Sequence, residues 1–235
     1  LTSIPPVVFP RRFLWQNYPK VMTVIPFFRM YLNSTFTTVV ATVSVLFFSS
    51  LGGYTFGKFR FPGRTFFFTI IVATMLIPFS IRLVPLYLLM AKIGFVDRYA
   101  GILAPAVMSP FGIFMVRQFV ASIPDELIDA SRIDGCGEFR IFRTIVLPLL
   151  RPCLGALAVF TFMANWDSFL WPMIVTNATQ RYTIPVGLAM LVTEFSSDTH
   201  LIMAGASLAI VPVLLVFALA ERQIIQGITL TGLKG

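Results

Sequence analysis

Pro124-Asp125-Glu126-Leu127-Ile128-Asp129-Ala130-Ser131-Arg132-Ile133-Asp134-Gly135, followed by Ile145-Val146-Leu147-Pro148, is a charged island in an otherwise apolar chain. Pro124 suits a first helical turn, where its missing N–H costs nothing. Asp125 and Glu126 suit the positive end of a helix dipole. Leu127, Ala130 and Asp134 fall along one helical face, with Ile128 and Ser131 beside it. Gly135 is a natural helix stop. A second short helix over 138–146 is expected to end before Pro148. The segment 122–148 therefore predicts a helix–Gly–helix elbow. Two readings of such an elbow stay open on its residues alone: an amphipathic connector lying at the membrane face, or a seat for a soluble partner.

The rest of the chain reads as membrane. It has 235 residues, 57% hydrophobic and only 12% charged, with mean hydropathy +0.86. Soluble domains carry about 25% charged residues, and a chain of this length cannot bury so much apolar surface in one core. The 25 phenylalanines suit lipid-facing and helix-packing surfaces. The net charge of +8 does not point to nucleic acid, because the basic residues lie in short connections and not in one patch. Cys136 and Cys153 suggest no disulfide framework and read as packing residues.

Five apolar runs, 31–54, 65–89, 100–120, 149–175 and 201–220, each reach the ~20 residues that cross a bilayer as helix. They do not alternate as barrel strands would. The expectation is an all-α polytopic membrane helical bundle, kinked where Pro78, Pro85, Pro105, Pro110, Pro172 and Pro212 free backbone carbonyls. The basic residues fall into two sets of connections. Ten, including Lys58, Arg60, Arg64 and Arg132, lie in one set, and eight, including Lys20, Arg29, Arg98 and Arg181, lie in the other. The richer set is placed in the cytoplasm. Residues 1–30 then form an extracytoplasmic segment, 31–222 the membrane domain and 223–235 a cytoplasmic tail. The chain begins at Leu1, and the export of residues 1–30 calls for a further span before it, six in the complete subunit.

Asp167 is an acid placed within the run 149–175, in Ala164-Asn165-Trp166-Asp167-Ser168-Phe169-Leu170-Trp171-Pro172. An ionisable group at membrane depth faces a polar cavity or a partner. Trp166 and Trp171 could stack on a substrate, and Asn165 and Asp167 could bond its polar groups, with Phe169 alongside. Equally, Asp167 could pair with a neighbouring helix and the tryptophans could mark the outer interface.

The island resembles the cytoplasmic EAA loop of ABC importer permeases. That pattern, Glu-Ala-Ala, then Gly, then Ile-x-Leu-Pro, is matched in spacing by Asp129-Ala130-Ser131, Gly135 and Ile145-Val146-Leu147-Pro148. Asp for Glu and Ser for Ala are the departures. Asn17-Tyr18, Leu32-Asn33-Ser34, Phe61-Pro62-Gly63-Arg64, Ile133-Asp134-Gly135, Trp166-Asp167-Ser168-Phe169 and Gly232-Leu233-Lys234-Gly235 resemble, in order, landmarks of the carbohydrate-uptake branch, similar to the maltose system's second permease.

The resemblance implies a multi-pass permease subunit of a bacterial or archaeal cell (inner) membrane, binding-protein-dependent and ATP-driven. Its elbow would couple to a cytoplasmic ATPase through Glu126, Asp129, Ala130, Ser131, Asp134, Gly135, Leu147 and Pro148. Ala130 and Ser131 would allow close approach, Asp129 would pair with a basic residue of the partner, and Gly135 would set the elbow angle. The implied partners are an ATPase dimer, a second homologous permease, an extracytoplasmic substrate-binding protein and membrane lipid, with no nucleic acid. ATP and Mg would reside in the ATPase. The chain itself holds no Gly-x-x-x-x-Gly-Lys-Ser/Thr loop, so no catalytic residue, cofactor or metal is assigned to it. The implied cargo is a sugar or oligosaccharide. A polyol or glycerol phosphate permease is the alternative, and a proton-coupled secondary transporter or membrane enzyme is the alternative of another class. That last class asks for several acids or histidines within the runs, where only Asp167 qualifies, and for metal-ligand spacing that a single histidine, His200, does not supply.

Overall fold

A computed structural model describes residues 14–194 and 198–219. The cytoplasmic tail assigned to 223–235, its Gly-Leu-Lys-Gly ending and the first part of the segment 1–30 lie outside these. The described elements are helical. In chain order they are α1 (Asn17–Val24), α2 (Phe27–Lys58), α3 (Arg64–Thr74), α4 (Phe79–Lys92), α5 (Tyr99–Leu103), α6 (Pro110–Ala121) and α7 (Asp125–Ile133). Next come α8 (Glu138–Ile141), a π turn (Phe142–Val146) and α9 (Leu147–Leu149). The rest are α10 (Arg151–Trp166), α11 (Leu170–Val175), a 3-10 turn (Thr179–Arg181), α12 (Ile184–Glu194) and α13 (Thr199–Ala209).

The long helix α2 explains the bundle. Most of its buried stripe is small or polar, with Ser34, Thr38, Ala41, Ser49 and Gly53, and the larger Phe27, Met30, Val45 and Tyr54 complete it. Its exposed side is large and apolar: Phe36, Val39, Val43 and Phe47. This inverts a soluble amphipathic helix. In lipid the bulky side chains need no cover, and small residues let backbones approach. α6 takes that approach. A Cβ on Gly53 would lie 2.5 Å from Val116 Cγ1 and 2.9 Å from the Arg117 nitrogen. Arg117 ties the crossing, donating to the Phe56 carbonyl at 3.2 Å and lying 4.1 Å over the Phe68 ring.

The five expected spans are not five straight helices. Among the described residues two helices are long and apolar enough to cross alone, Phe27–Lys58 and Thr199–Leu219. Arg64–Thr74 and Phe79–Lys92 form a pair bent by 100°, and Glu138–Leu149 and Arg151–Trp166 a pair bent by 74°. Prolines account for the breaks. Pro78 is the N-cap of α4 and forces the residue before it out of helix, and Pro152 enters the first turn of α10. The run 100–120 divides into α5 and α6 around Pro105. α6 has 12 residues, about 18 Å of helix, less than a ~30 Å hydrocarbon core. α12 is apolar and helical but falls outside the expected runs.

The elbow differs in one respect. Helix does not stop before Pro148 but runs on from Glu138 to Leu149. The π turn just before Pro148 is the accommodation. A proline removes the donor that an α turn would return four residues back, and a wider turn relieves that register.

Hydrogen bonds sort the connections onto two ends. At one end Lys58 and Arg132 meet the elbow. At the other, Arg29 Nε donates to Gln180 O at 3.1 Å, Asn33 Nδ2 to Tyr182 O at 2.9 Å, and Lys20 Nζ to Asp198 at 2.9 Å.

Candidate functional site

At the elbow, the sequence builds a defined corner. The Gly135 N–H donates to Arg132 O and the Cys136 N–H to Ser131 O, both at 3.0 Å. Gly135 has φ +78°. These are the paired bonds of a helix ending that requires a left-handed residue, which glycine adopts without a Cβ penalty. Space around Gly135 is open, with no atom of the described residues within 4 Å of where a Cβ would stand.

α7 is anchored on one side only. Ile128 is 2% exposed and joins a core with Val120, Ile141, Val146 and Leu150. Ser131 is buried too, its hydroxyl donating back to Leu127 O at 2.8 Å. The expectation that Ser131 faces a partner is therefore corrected: it packs inward, a helical turn after Leu127. Leu147 and Pro148 are half-buried. Glu126, Asp129, Ala130, Asp134 and Gly135 are exposed. Ile133 is 86% exposed, a large apolar side chain turned outward beside them.

Charge holds the corner's angle. Arg132 pairs with Asp129 at 2.9 Å within α7 and reaches across Gly135 to Glu138 Oε1 at 2.7 Å. Glu138 Oε2 also accepts from Tyr54 of α2 at 3.1 Å. The bond from Arg132 lowers the Glu138 carboxyl below its ordinary pKa. Asp129 is thus engaged within its own helix. Lys58 donates at 2.5 Å to both Ile123 O and Asp125 Oδ1, and this bond holds the Asp125 carboxyl below its usual range. Sequence reasoning misses both the Tyr54–Glu138–Arg132 network and the Lys58–Asp125 bond, because Tyr54 and Lys58 lie far from the elbow in the chain. A polar hollow of about 440 Å³ opens between Lys58, Arg60, Asp125, Asp129 and Arg132.

A second feature lies toward the other end. A cavity of about 360 Å³ is lined by residues of α2, α4, α5 and α10, by the break between α10 and α11, and by α11 and Thr183. Asn165, Phe169 and Trp171 line it. Trp166 and Asp167 do not. Trp166 is 3% exposed, its N–H donated to Ala209 O at 3.1 Å and its ring stacked on Phe162 at 5.7 Å. It is a packing residue between α10 and α13. Asp167 is not inside a helix but caps the end of α10 and is exposed. The expected run 149–175 passed over this break because the apolar stretch resumes at Phe169 directly after Ser168. Trp171 donates to Gly101 O at 3.0 Å. Thr37, Phe79, Ser168 and Thr183, also in the wall, carried no signal in the sequence. Among the described residues no group of three His, Cys, Asp or Glu could hold a metal ion.

Residues 49–224 match the family described as binding-protein-dependent transport system inner membrane component. The chain belongs to that family. It is 39% identical over 203 residues to the arabinooligosaccharides transport system permease protein AraQ of Halalkalibacterium halodurans, covering 86% of this chain and 73% of the relative. It is 37% identical over 205 residues to the sn-glycerol-3-phosphate transport system permease protein UgpE of Brucella abortus, again covering 86% and 73%. Its fold is similar, with TM-score 0.81 and 25% identity over 93% of this chain and 84% of the other, to a chain in the crystal structure of a bacterial ABC transporter involved in import of the acidic polysaccharide alginate. The chain is an inner-membrane permease subunit of an ABC importer, and the family is one of non-catalytic subunits. This membership replaces the proton-coupled alternative.

Proposed function

We propose that this permease moves a sugar or oligosaccharide, delivered by an external binding protein, through ATP-driven alternating access. The observation that carries the reading is the one-sided anchoring of α7. Ile128 and Ser131 fasten it to the bundle, while Glu126, Asp129, Ala130, Ile133 and Asp134 stay outside. A helix held firmly from behind and bare in front transmits a push or pull along its own axis to α2 and α10. Two cytoplasmic ATPases supply that movement, and they hold the ATP and Mg. The end carrying α7 is cytoplasmic, and the end carrying Asp97, Arg181 and Asp198 faces the binding protein. The membrane is crossed five times in this chain, one crossing being the bent pair α3–α4, one the divided α5–α6 and one α10 with α11. A sister permease supplies the other half of the pathway, and the two halves rock about the substrate.

Affinity isolation of the chain from its native membrane in mild detergent, with mass spectrometry of its companions, tests this. Two ATPase copies and a second permease are expected, with ATP hydrolysis raised by the loaded binding protein. A chain isolated alone, without ATP-dependent transport, sinks the proposal. The AraQ relative supports the oligosaccharide reading, and the UgpE relative supports glycerol phosphate as the competing cargo class.

A further inference from the structure

The cavity beside α10 and α11 has about 360 Å³, within the ~300–1,000 Å³ of small-molecule sites. Its polar groups are three hydroxyls and an amide, from Thr37, Ser168, Thr183 and Asn165. Its flat walls come from Phe79, Phe169 and Trp171. Among the described residues that line it there is no Lys, Arg, His, Asp or Glu. The Arg82 guanidinium lies 5.8 Å over the Phe79 ring and is not part of the wall.

Several polar groups there are left open. Thr183 is 4% exposed, and its Oγ1 is buried without a hydrogen-bond partner. Buried hydroxyls are otherwise satisfied almost always, and Thr38, Thr42 and Ser49 are the other described exceptions, so the Thr183 hydroxyl is an open polar position beside the cavity. Asn165 gives its Nδ2 to Thr161 O at 2.8 Å, which leaves its carbonyl oxygen to accept. Thr37 donates to Asn33 O at 2.8 Å and keeps its acceptor side. The Trp171 N–H is used by Gly101, so Trp171 offers only its ring.

We infer that this cavity is a subsite for one neutral sugar unit of the cargo, held by this subunit itself. The inference rests on the importer reading above and narrows its cargo. A sugar ring presents hydroxyls that both donate and accept, matching Thr183, Asn165 and Thr37, and a C–H face that suits aromatic walls. A phosphate or a uronate carboxylate would lose its hydration there and meet no cation. Glycerol phosphate and acidic saccharides are therefore excluded from this pocket by charge, not by size.

The test uses the complete importer, with its ATPases, sister permease and binding protein, in proteoliposomes loaded with ATP. Uptake of radiolabelled arabinotriose, maltotriose, a uronate trisaccharide and sn-glycerol 3-phosphate is measured. A neutral probe is expected to be taken up and both anions refused. Thr183→Val should raise the KM of the neutral probe about three- to tenfold, the loss of one hydrogen bond, at unchanged maximal rate. Because the hydroxyl has no protein partner, the same change should not lower the melting midpoint of the complex. Asn165→Leu should raise KM likewise. An unchanged KM in both variants, or wild-type uptake of either anion in preference to the neutral probes, overturns the subsite while leaving the importer intact. Absence of both ATP hydrolysis and uptake of every probe overturns the importer reading and the subsite together.

Discussion

Lys58 closes α2 by bonding to Asp125, the first residue of α7, and its side chain is only 7% exposed while that of Asp125 is 71% exposed. The asymmetry says which bond matters. An ion pair with an exposed carboxylate contributes about 0–1 kcal/mol. The bond from Lys58 to the Ile123 carbonyl is part-buried, and it fixes the backbone that leads into α7. Lys58→Met is expected to cut ATP-driven uptake more than tenfold while insertion into the membrane stays normal. Lys58→Arg should retain much of it, and Asp125→Asn should change it less than threefold. Uptake per ATP hydrolysed is the readout. Equal damage from Lys58→Met and Asp125→Asn would assign the fastening to the ion pair instead.

Gly135 separates strain from contact. Its φ of +78° costs a side-chain-bearing residue ~1–2 kcal/mol, with asparagine tolerated best. Among the described residues nothing approaches within 4 Å of a Cβ there. Gly135→Asn should therefore transport nearly as the natural protein does, and Gly135→Ala should fall modestly. Gly135→Trp should abolish uptake only if a partner occupies the open space. Normal uptake by Gly135→Trp would remove the elbow from the coupling path.

Gly53 carries the α2–α6 crossing. A methyl group there would overlap Val116 and the Arg117 backbone at 2.5–2.9 Å, and backbone cannot yield as a side-chain tip can. Gly53→Ala should destabilise by about 1–3 kcal/mol. A lowered melting midpoint of the purified complex and a smaller membrane yield are the signs. Gly137, with open space around it, is the control, and Gly137→Ala should leave both unchanged.

These residues also mark how far the sequence could be read. The apolar runs revealed a helical membrane bundle, because lipid imposes that pattern chain-wide. The elbow was legible because Pro124, Asp125, Glu126 and Gly135 are local signals of helix start and stop. The breaks were not, because residues 75–78 interrupt a helix without interrupting its hydropathy, and the polar residues Asp167 and Ser168 are followed at once by a further apolar stretch. Nor was the inward face of Ser131, since a nine-residue helix exposes small residues on either side with equal ease. The lining of the cavity is drawn from separate elements, Thr37 of α2 and Thr183 before α12. No spacing within the chain announces a meeting across so many residues.

Asp97 clamps the opposite end and makes the final prediction. It has φ +57°, and its Oδ1 accepts from the backbone N–H groups of Asn177 at 3.0 Å and Ala178 at 2.9 Å. Its Oδ2 accepts from Arg181 at 2.5 Å. The Ala178 N–H, with the further help of Asn177 and Arg181, lowers the carboxyl below its usual pKa. A lowered acid stabilises the fold above its unfolded pKa, and that stability is lost as pH falls through the native value. The clamp should thus hold in full at neutral pH, persist below the ordinary carboxylate range and open only in stronger acid. Asp97→Asn keeps an acceptor for both N–H groups and tolerates the positive φ, but it turns an Nδ2 donor toward Arg181, so it should melt below the natural protein at neutral pH and draw level with it in strong acid. Asp97→Ala leaves both N–H groups unpaired and should cost about 1–3 kcal/mol. Melting midpoints of the three proteins across an acid series decide it. A natural protein and Asp97→Asn that melt in parallel at every pH would show that the carboxylate charge contributes nothing to the clamp.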